Sequence, residues 1–263
     1  MNTETFQIPN AVIENSARLH ASVHLESFFV SIAFMQSEDG SVIFTHNQVF
    51  PIGESIPFAE PVSWLQKHWP SAVFKKTILS VEPLAFNLIP KALFQESEIE
   101  NYLQQISSNE FLAYRFNTQP DVVVVFATHA SVVNLERFIA GVEILALPTL
   151  MLPGQRAHAS LVQSKATLWV GKEKHYLCLE KNNALVLLNE YAGNTAEDIL
   201  YFLANGCIQY GIDLAALPVF VQGTHFDSIY VDVFESYVRN VQFSENMKVN
   251  SLNDLWKLHL LCA

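Results

Sequence analysis

Two stretches decide how this chain of 263 residues is divided: Asp121-Val122-Val123-Val124-Val125-Phe126-Ala127-Thr128-His129 and Leu217-Pro218-Val219-Phe220-Val221-Gln222-Gly223-Thr224-His225. Each is a short apolar run of the kind expected for a strand covered on both faces, where Val, Ile and Leu follow one another instead of alternating with polar residues. Each leaves its strand for a helical pattern through similar letters, Ala127-Thr128-His129 and Gly223-Thr224-His225. Working outward, a hairpin plus a third strand is expected upstream of each, beginning near His20 and near Lys165, 145 residues apart, whereas the two apolar strands start 96 apart. The first half is therefore longer by 49 residues, which matches the block from about 74 to 116. That block is expected to be an insertion in one copy of a shared βββαβαβ unit. The halves are then residues 1–150 and 151–263, with Pro148 marking the seam.

Local signals fill in the copies. In the first, residues 21–34 and 41–50 are strand-like and flank Asp39-Gly40, a hairpin signal because glycine takes positive φ without penalty. Val62, Leu65 and Trp69 recur at helical spacing, residues 74–81, 84–93 and 111–116 read as strands, and Ile99, Leu103 and Ile106 line one face of an expected helix over 96–106. A helix over 131–140 and a strand over 142–147 close the copy. In the second, strands over 165–170, 175–180 and 184–191 precede a helix whose expected N-cap is Asn194, with Glu197 at N3 and Gly211 as the left-handed terminator. Gly206 inside that helix costs about 1 kcal/mol relative to Ala, which points to a close helix contact on the sheet. A helix over 227–238, a strand over 240–243 and a terminal helix over 251–261 complete it.

Composition limits the function. Half the residues are hydrophobic and 16% are charged, with 9 Gly and 11 Pro, a composition that folds. Fifteen Lys and Arg face 26 Asp and Glu, a formal charge of −11, which argues against a grip on nucleic acid or an anionic membrane. The cysteines, Cys178, Cys207 and Cys262, form no CxxC and fit a reducing, cytoplasmic setting. Arg18 is the only cation among the first twenty residues, so no signal peptide is expected. No stretch approaches the roughly 20 apolar residues of a membrane helix. The expected partner is a protein or a small molecule, a homodimer included.

The sequence resembles a family of uncharacterised bacterial proteins with an actin-like ATPase fold. The resemblance is carried by Phe86-Asn87-Leu88-Ile89-Pro90-Lys91-Ala92-Leu93-Phe94, Asn194-Thr195-Ala196-Glu197-Asp198-Ile199-Leu200-Tyr201-Phe202 and Val219-Phe220-Val221-Gln222-Gly223. It is more distantly similar to the actin-like scaffold proteins of type IV pilus assembly. The resemblance implies an α/β chain of the actin-like, ribonuclease H-like fold, with two duplicated sub-domains of mixed sheet flanked by helices.

Actin-like enzymes that hydrolyse ATP place an Asp and a nearby Gly in each half's first hairpin, so that backbone N–H groups approach phosphates and carboxylates organise Mg²⁺. Here Leu25-Glu26-Ser27-Phe28 occupies the first hairpin, and the second reads Trp169-Val170-Gly171. Only Gly171, Gly223 and Thr224 remain as candidate nucleotide contacts. No catalytic residue and no metal ligand set is assigned, and no cofactor is expected, with ATP and Mg²⁺ as the alternative. A P-loop is excluded because Ala166 and Glu173 stand where Gly and Ser or Thr are needed. His20, His24 and Glu26 alternate on one strand face and could in principle meet zinc, but a solvated face is the expectation. His129 and His225 are expected to bond helix starts. Two functions follow: a non-catalytic actin-like scaffold or assembly partner, or a nucleotide-dependent ATPase or sugar-kinase-like enzyme with an atypical cleft.

Overall fold

The structure, a computed structural model, describes residues 6–51, 57–103, 112–152, 164–172, 174–193, 195–224 and 228–243. The chain forms two compact units divided after Thr149.

In the first unit a short helix α1 (Asn10–Glu14) precedes strands β1 (Leu19–Glu26), β2 (Phe29–Gln36) and β3 (Val42–Val49), helix α2 (Ala59–His68) and strand β4 (Lys76–Val81). Strands β5 (Ala85–Pro90), β6 (Leu112–Thr118) and β7 (Val122–His129) follow, then helices α3 (Ala130–Val133) and α4 (Leu135–Phe138), strand β8 (Val142–Ala146) and the short helix α5 (Leu147–Met151). The second unit carries β9 (Lys165–Val170), β10 (Lys174–Lys181), β11 (Ala184–Ala192), α6 (Ala196–Tyr210), β12 (Val219–Gly223), α7 (Ser228–Tyr237) and β13 (Val241–Phe243).

The duplication is explicit in the sheets. One is ordered β3-β2-β1-β4-β8 and the other β11-β10-β9-β12-β13. In each, the first three strands run antiparallel and the last two join parallel to the first. Strand β12 therefore corresponds to β4, not to β7. The expected pairing of the Asp121 and Leu217 strands is wrong, and so are the expected insertion limits of 74 and 116. Strand β4 belongs to the shared unit, and the extra element is a three-stranded sheet, β5-β7-β6, lying between Val81 and Ala130. The cause is physical. Strand β7 is the middle strand of that small sheet and is buried along most of its length, so it reads like a parallel core strand, while Thr77 and Ser80 disguise β4, where both are buried. Asn117 ties the inserted sheet to the end of β8: its amide donates to the Ile144 carbonyl at 3.0 Å, and its oxygen accepts from Ala146 N–H at 2.8 Å and Thr149 Oγ1 at 2.9 Å.

Three local expectations shift. The strand-like stretch 21–34 is split by a two-residue turn at Ser27-Phe28 that carries no Gly, Asn or Asp. The helix expected over 96–106 is replaced, as far as residue 103, by short 3₁₀ turns at Glu96–Glu98 and Asn101–Leu103. There the Tyr102 hydroxyl accepts from Gln95 N–H and donates to the Leu93 carbonyl, and Asn87 donates to the Tyr102 carbonyl, so local side-chain bonds displace the helical ladder. The cap of α6 is Thr195, in a reciprocal box with Asp198, one residue later than expected; Asn194 itself lies outside the described residues, as do Cys262 and the stretch 251–261. Gly211 ends α6 at φ +61° as expected, and a Cβ on Gly206 would stand 2.9 Å from Leu179 Cδ1 and 3.2 Å from Leu187 Cδ2, the close approach to the sheet that its presence implied.

The core of the second unit lies between sheet and helices: Leu168, Val170, Leu177, Leu179, Val219 and Val221 meet Ile199, Leu203, Cys207 and Phe234. Both α6 and α7 thus cover the same sheet face, and they pack against one another. Among the described residues no helix is long and apolar enough to cross a membrane.

Candidate functional site

In an open α/β sheet, ligands gather where parallel strands end at their carboxyl termini. Each unit has one such place, at the ends of β1 and β4 or of β9 and β12. The registers match position by position: Leu25 pairs with Val81 as Val170 pairs with Gly223, and His24 with Ser80 as Trp169 with Gln222. The next residue in each copy donates its N–H back across the pair, Glu82 to the Leu25 carbonyl at 2.8 Å and Thr224 to the Val170 carbonyl at 3.1 Å. Glu26 is therefore the counterpart of Gly171, and Glu82 of Thr224.

The second unit brings the three sequence-predicted residues together. Gly171 follows Val170, Gly223 lies beside it, and Thr224 bonds to its carbonyl. Their backbone has internal duties. The Gly171 N–H donates to the Lys174 carbonyl at 3.1 Å, closing the hairpin between β9 and β10, and the Thr224 N–H is taken by Val170. A Cβ on Gly223 would stand 2.0 Å from the Val170 carbonyl oxygen, and its φ is +152°. The close approach of β12 to β9 requires glycine there. Trp169, the residue before Val170, is fully buried. His175 directs Nε2 to the Gly193 carbonyl at 2.8 Å.

The first unit fills the same place with side chains. His24 Nδ1 is 2.9 Å from Ser80 Oγ and its Nε2 is 3.1 Å from Glu26 Oε1, while Ser80 Oγ also reaches the Val23 carbonyl at 3.3 Å. His24, Ser80, Glu26 and Glu82 are all buried. The expected solvated face for His24 and Glu26 is thus corrected: β1 is a central strand with β2 on one side and β4 on the other, not an edge. A Ser–His–Glu chain can activate a hydroxyl when the hydroxyl meets substrate. This serine is fully buried inside a strand, and its hydroxyl is engaged by His24 and the Val23 carbonyl. Two buried carboxyl groups, Glu26 and Glu82, stand at the ends of β1 and β4. Ser80 and Glu82 were not singled out in the sequence, because only the register places them beside His24 and Glu26.

His20 lies near the start of β1, four residues from His24, and burial with the charges of Lys75 and Lys76 lowers its pKa. Among the described residues no group of three or more His, Cys, Asp or Glu is arranged to hold a metal. His129 caps α3 as expected, accepting from Ser131 N–H at 3.2 Å with the Ser131 hydroxyl 2.7 Å away. His225 is outside the described residues.

Solved structures share this architecture. A protein of actin-like ATPase fold and unknown function from Bacteroides thetaiotaomicron superposes with a TM-score of 0.75 at 16% identity, covering 94% of this chain and 98% of that one. A PilM–PilN type IV pilus biogenesis complex gives 0.57 at 12% identity, covering 89% and 88%. The ethanolamine utilization protein EutJ from Carboxydothermus hydrogenoformans gives 0.54 at 8%, covering 92% and 89%. No curated protein sequence matches the chain. These likenesses establish an actin-like ATPase fold built of two sheet-rich sub-domains. The family model described as a protein of unknown function, DUF3822, matches residues 11–241, and the chain belongs to that family.

Proposed function

We propose that this chain is a non-catalytic actin-like protein, a cytoplasmic scaffold or assembly partner whose phosphate motifs are degenerate. The observation that carries this reading is that the N–H groups of Gly171 and Thr224 already donate to the carbonyls of Lys174 and Val170. A phosphate cradle needs such donors turned outward. Glu26 and Glu82 stand at the corresponding strand ends of the first copy, where the Glu82 N–H is likewise taken, by the Leu25 carbonyl at 2.8 Å. The likeness to PilM, solved with PilN in a pilus biogenesis complex, supports a protein as the partner. In this reading Gly171, Gly223 and Thr224 shape strand ends and do not contact nucleotide.

The competing reading is a nucleotide-binding actin-like ATPase or sugar-kinase-like enzyme in which Gly171, Gly223 and Thr224 contact the nucleotide. A thermal melt with and without millimolar Mg-ATP, followed by calorimetric titration, separates the two. Ligand at about a hundredfold over its dissociation constant adds roughly 2.7 kcal/mol, or about 5 to 11 °C for a chain of this size. No shift and a silent titration are expected; a rise on that scale overturns the scaffold reading.

A further inference from the structure

We infer that the outer face of the α6–α7 layer is a docking surface for a cationic amphipathic helix of a partner protein. The inner faces of these helices are fully used: Ile199, Leu203, Cys207 and Phe234 fill the core against the sheet. The outer face nevertheless carries large apolar groups. Tyr201 is 65% and Ile208 79% exposed on α6, seven residues apart and so on one stripe, and Ile229 is 63% and Tyr237 73% exposed on α7. Single exposed apolar side chains need no explanation, but four on two neighbouring helices mark an interaction site.

Charge specifies the occupant. The two helices contain Glu197, Asp198, Asp232 and Glu235, and no Lys, Arg or His. No long cationic side chain on either helix can lay its aliphatic stem over the apolar groups. Lys181, in the preceding hairpin, is engaged by the Tyr210 and Gly211 carbonyls at the end of α6, and Arg239 lies beyond α7. A partner helix with apolar residues at i, i+3/i+4 and i+7 and flanking Lys or Arg meets both features. A second copy presenting the same face brings carboxylates against carboxylates, and an anionic lipid surface is repelled likewise. The surface goes beyond the scaffold reading and does not rest on it, since a chain that bound Mg-ATP would present the same face.

The probe is a fluorescein-labelled amphipathic Leu/Lys peptide of about 18 residues, or five helical turns, titrated against the full chain by anisotropy. Wild-type protein is expected to bind it with an affinity that falls as salt rises, and not to bind a Leu/Glu peptide. The double variant Tyr201→Ser with Ile208→Ser is expected to bind about tenfold more weakly, the effect of losing about 1.4 kcal/mol, at an unchanged melting temperature because both side chains are exposed. Val49→Ser with Val73→Ser, equally exposed positions in the first unit, is expected to change nothing. Equal affinity of wild type and the Tyr201/Ile208 variant overturns the proposal. So does a wild-type dimer in sedimentation that Ile208→Ser disperses, because the face would then serve self-association.

Discussion

Gly223→Ala is the sharpest test of how the second unit is held together. An added methyl would lie 2.0 Å from the Val170 carbonyl oxygen and 2.7 Å from both the Val170 carbonyl carbon and amide nitrogen. Every obstacle is backbone, so no rotamer change relieves it, and the end of β12 must move away from β9. That movement breaks the bond from Thr224 N–H to Val170, a loss of about 1 kcal/mol. Holding Ala at φ +152° adds strain of about 1 to 3 kcal/mol. The sum, about 2 to 4 kcal/mol, corresponds to a fall in melting temperature of roughly 4 to 16 °C. Gly211→Ala is the control in the same unit. Gly211 also has positive φ, +61°, but its nearest obstacle is the flexible tip of Lys181 at 3.6 Å, so only the left-handed backbone cost of about 1 kcal/mol applies. Scanning calorimetry and urea titration of both variants give the comparison. If Gly223→Ala is no worse than Gly211→Ala, close strand approach is not what requires the glycine. If instead it folds normally while abolishing a measurable nucleotide affinity, the residue is a ligand and the structural assignment fails.

Three further predictions follow from the buried polar groups. His24→Leu removes the ring that links Ser80 to Glu26 and leaves a buried carboxylate short of a partner, so urea unfolding should show a loss of about 3 kcal/mol; a change below about 1 kcal/mol, the range of a surface substitution, would show that the network is idle. Burial lowers the pKa of His20, His46 and His129 below the ordinary 6.5, aided by Lys75 and Lys76 at His20 and by His68 at His46, where Gln48 partly offsets it. The unfolded chain then binds protons that the native one refuses, so stability is full above pH 6.5 and falls as pH drops below it. Urea midpoints should decrease from pH 7.5 to 5.5, more weakly in His46→Gln, and a flat profile would refute the linkage. Burial also pushes the Cys207 thiol up to about 11, leaving about one thiolate in ten thousand at pH 7, so site-resolved alkylation of Cys207 should wait for unfolding; labelling at the rate of a free thiol would contradict its burial.

The sequence by itself carried the class of fold, the repeated order of hairpin, third strand and helix, and most strand positions, because alternation, glycine and capping signals are local. His129 as a helix cap, Gly211 as a terminator and the close contact at Gly206 were all legible for the same reason. Pairing was not. Strand β7 and strand β12 present the same continuous apolar letters, and only the hydrogen-bond register shows that β12 corresponds to β4 and that β7 belongs to an added sheet. The turn at Ser27-Phe28 escaped the reading as well, since it is made without Gly, Asn or Asp. The polar network followed the same rule: His24 and Glu26 were visible two residues apart, but Ser80, 56 residues away from His24, becomes their neighbour only when β4 lies in register with β1. Sequence fixes what each residue prefers nearby, whereas burial, partnership and the engagement of a backbone N–H are properties of which strands meet, and those are decided by the tertiary fold.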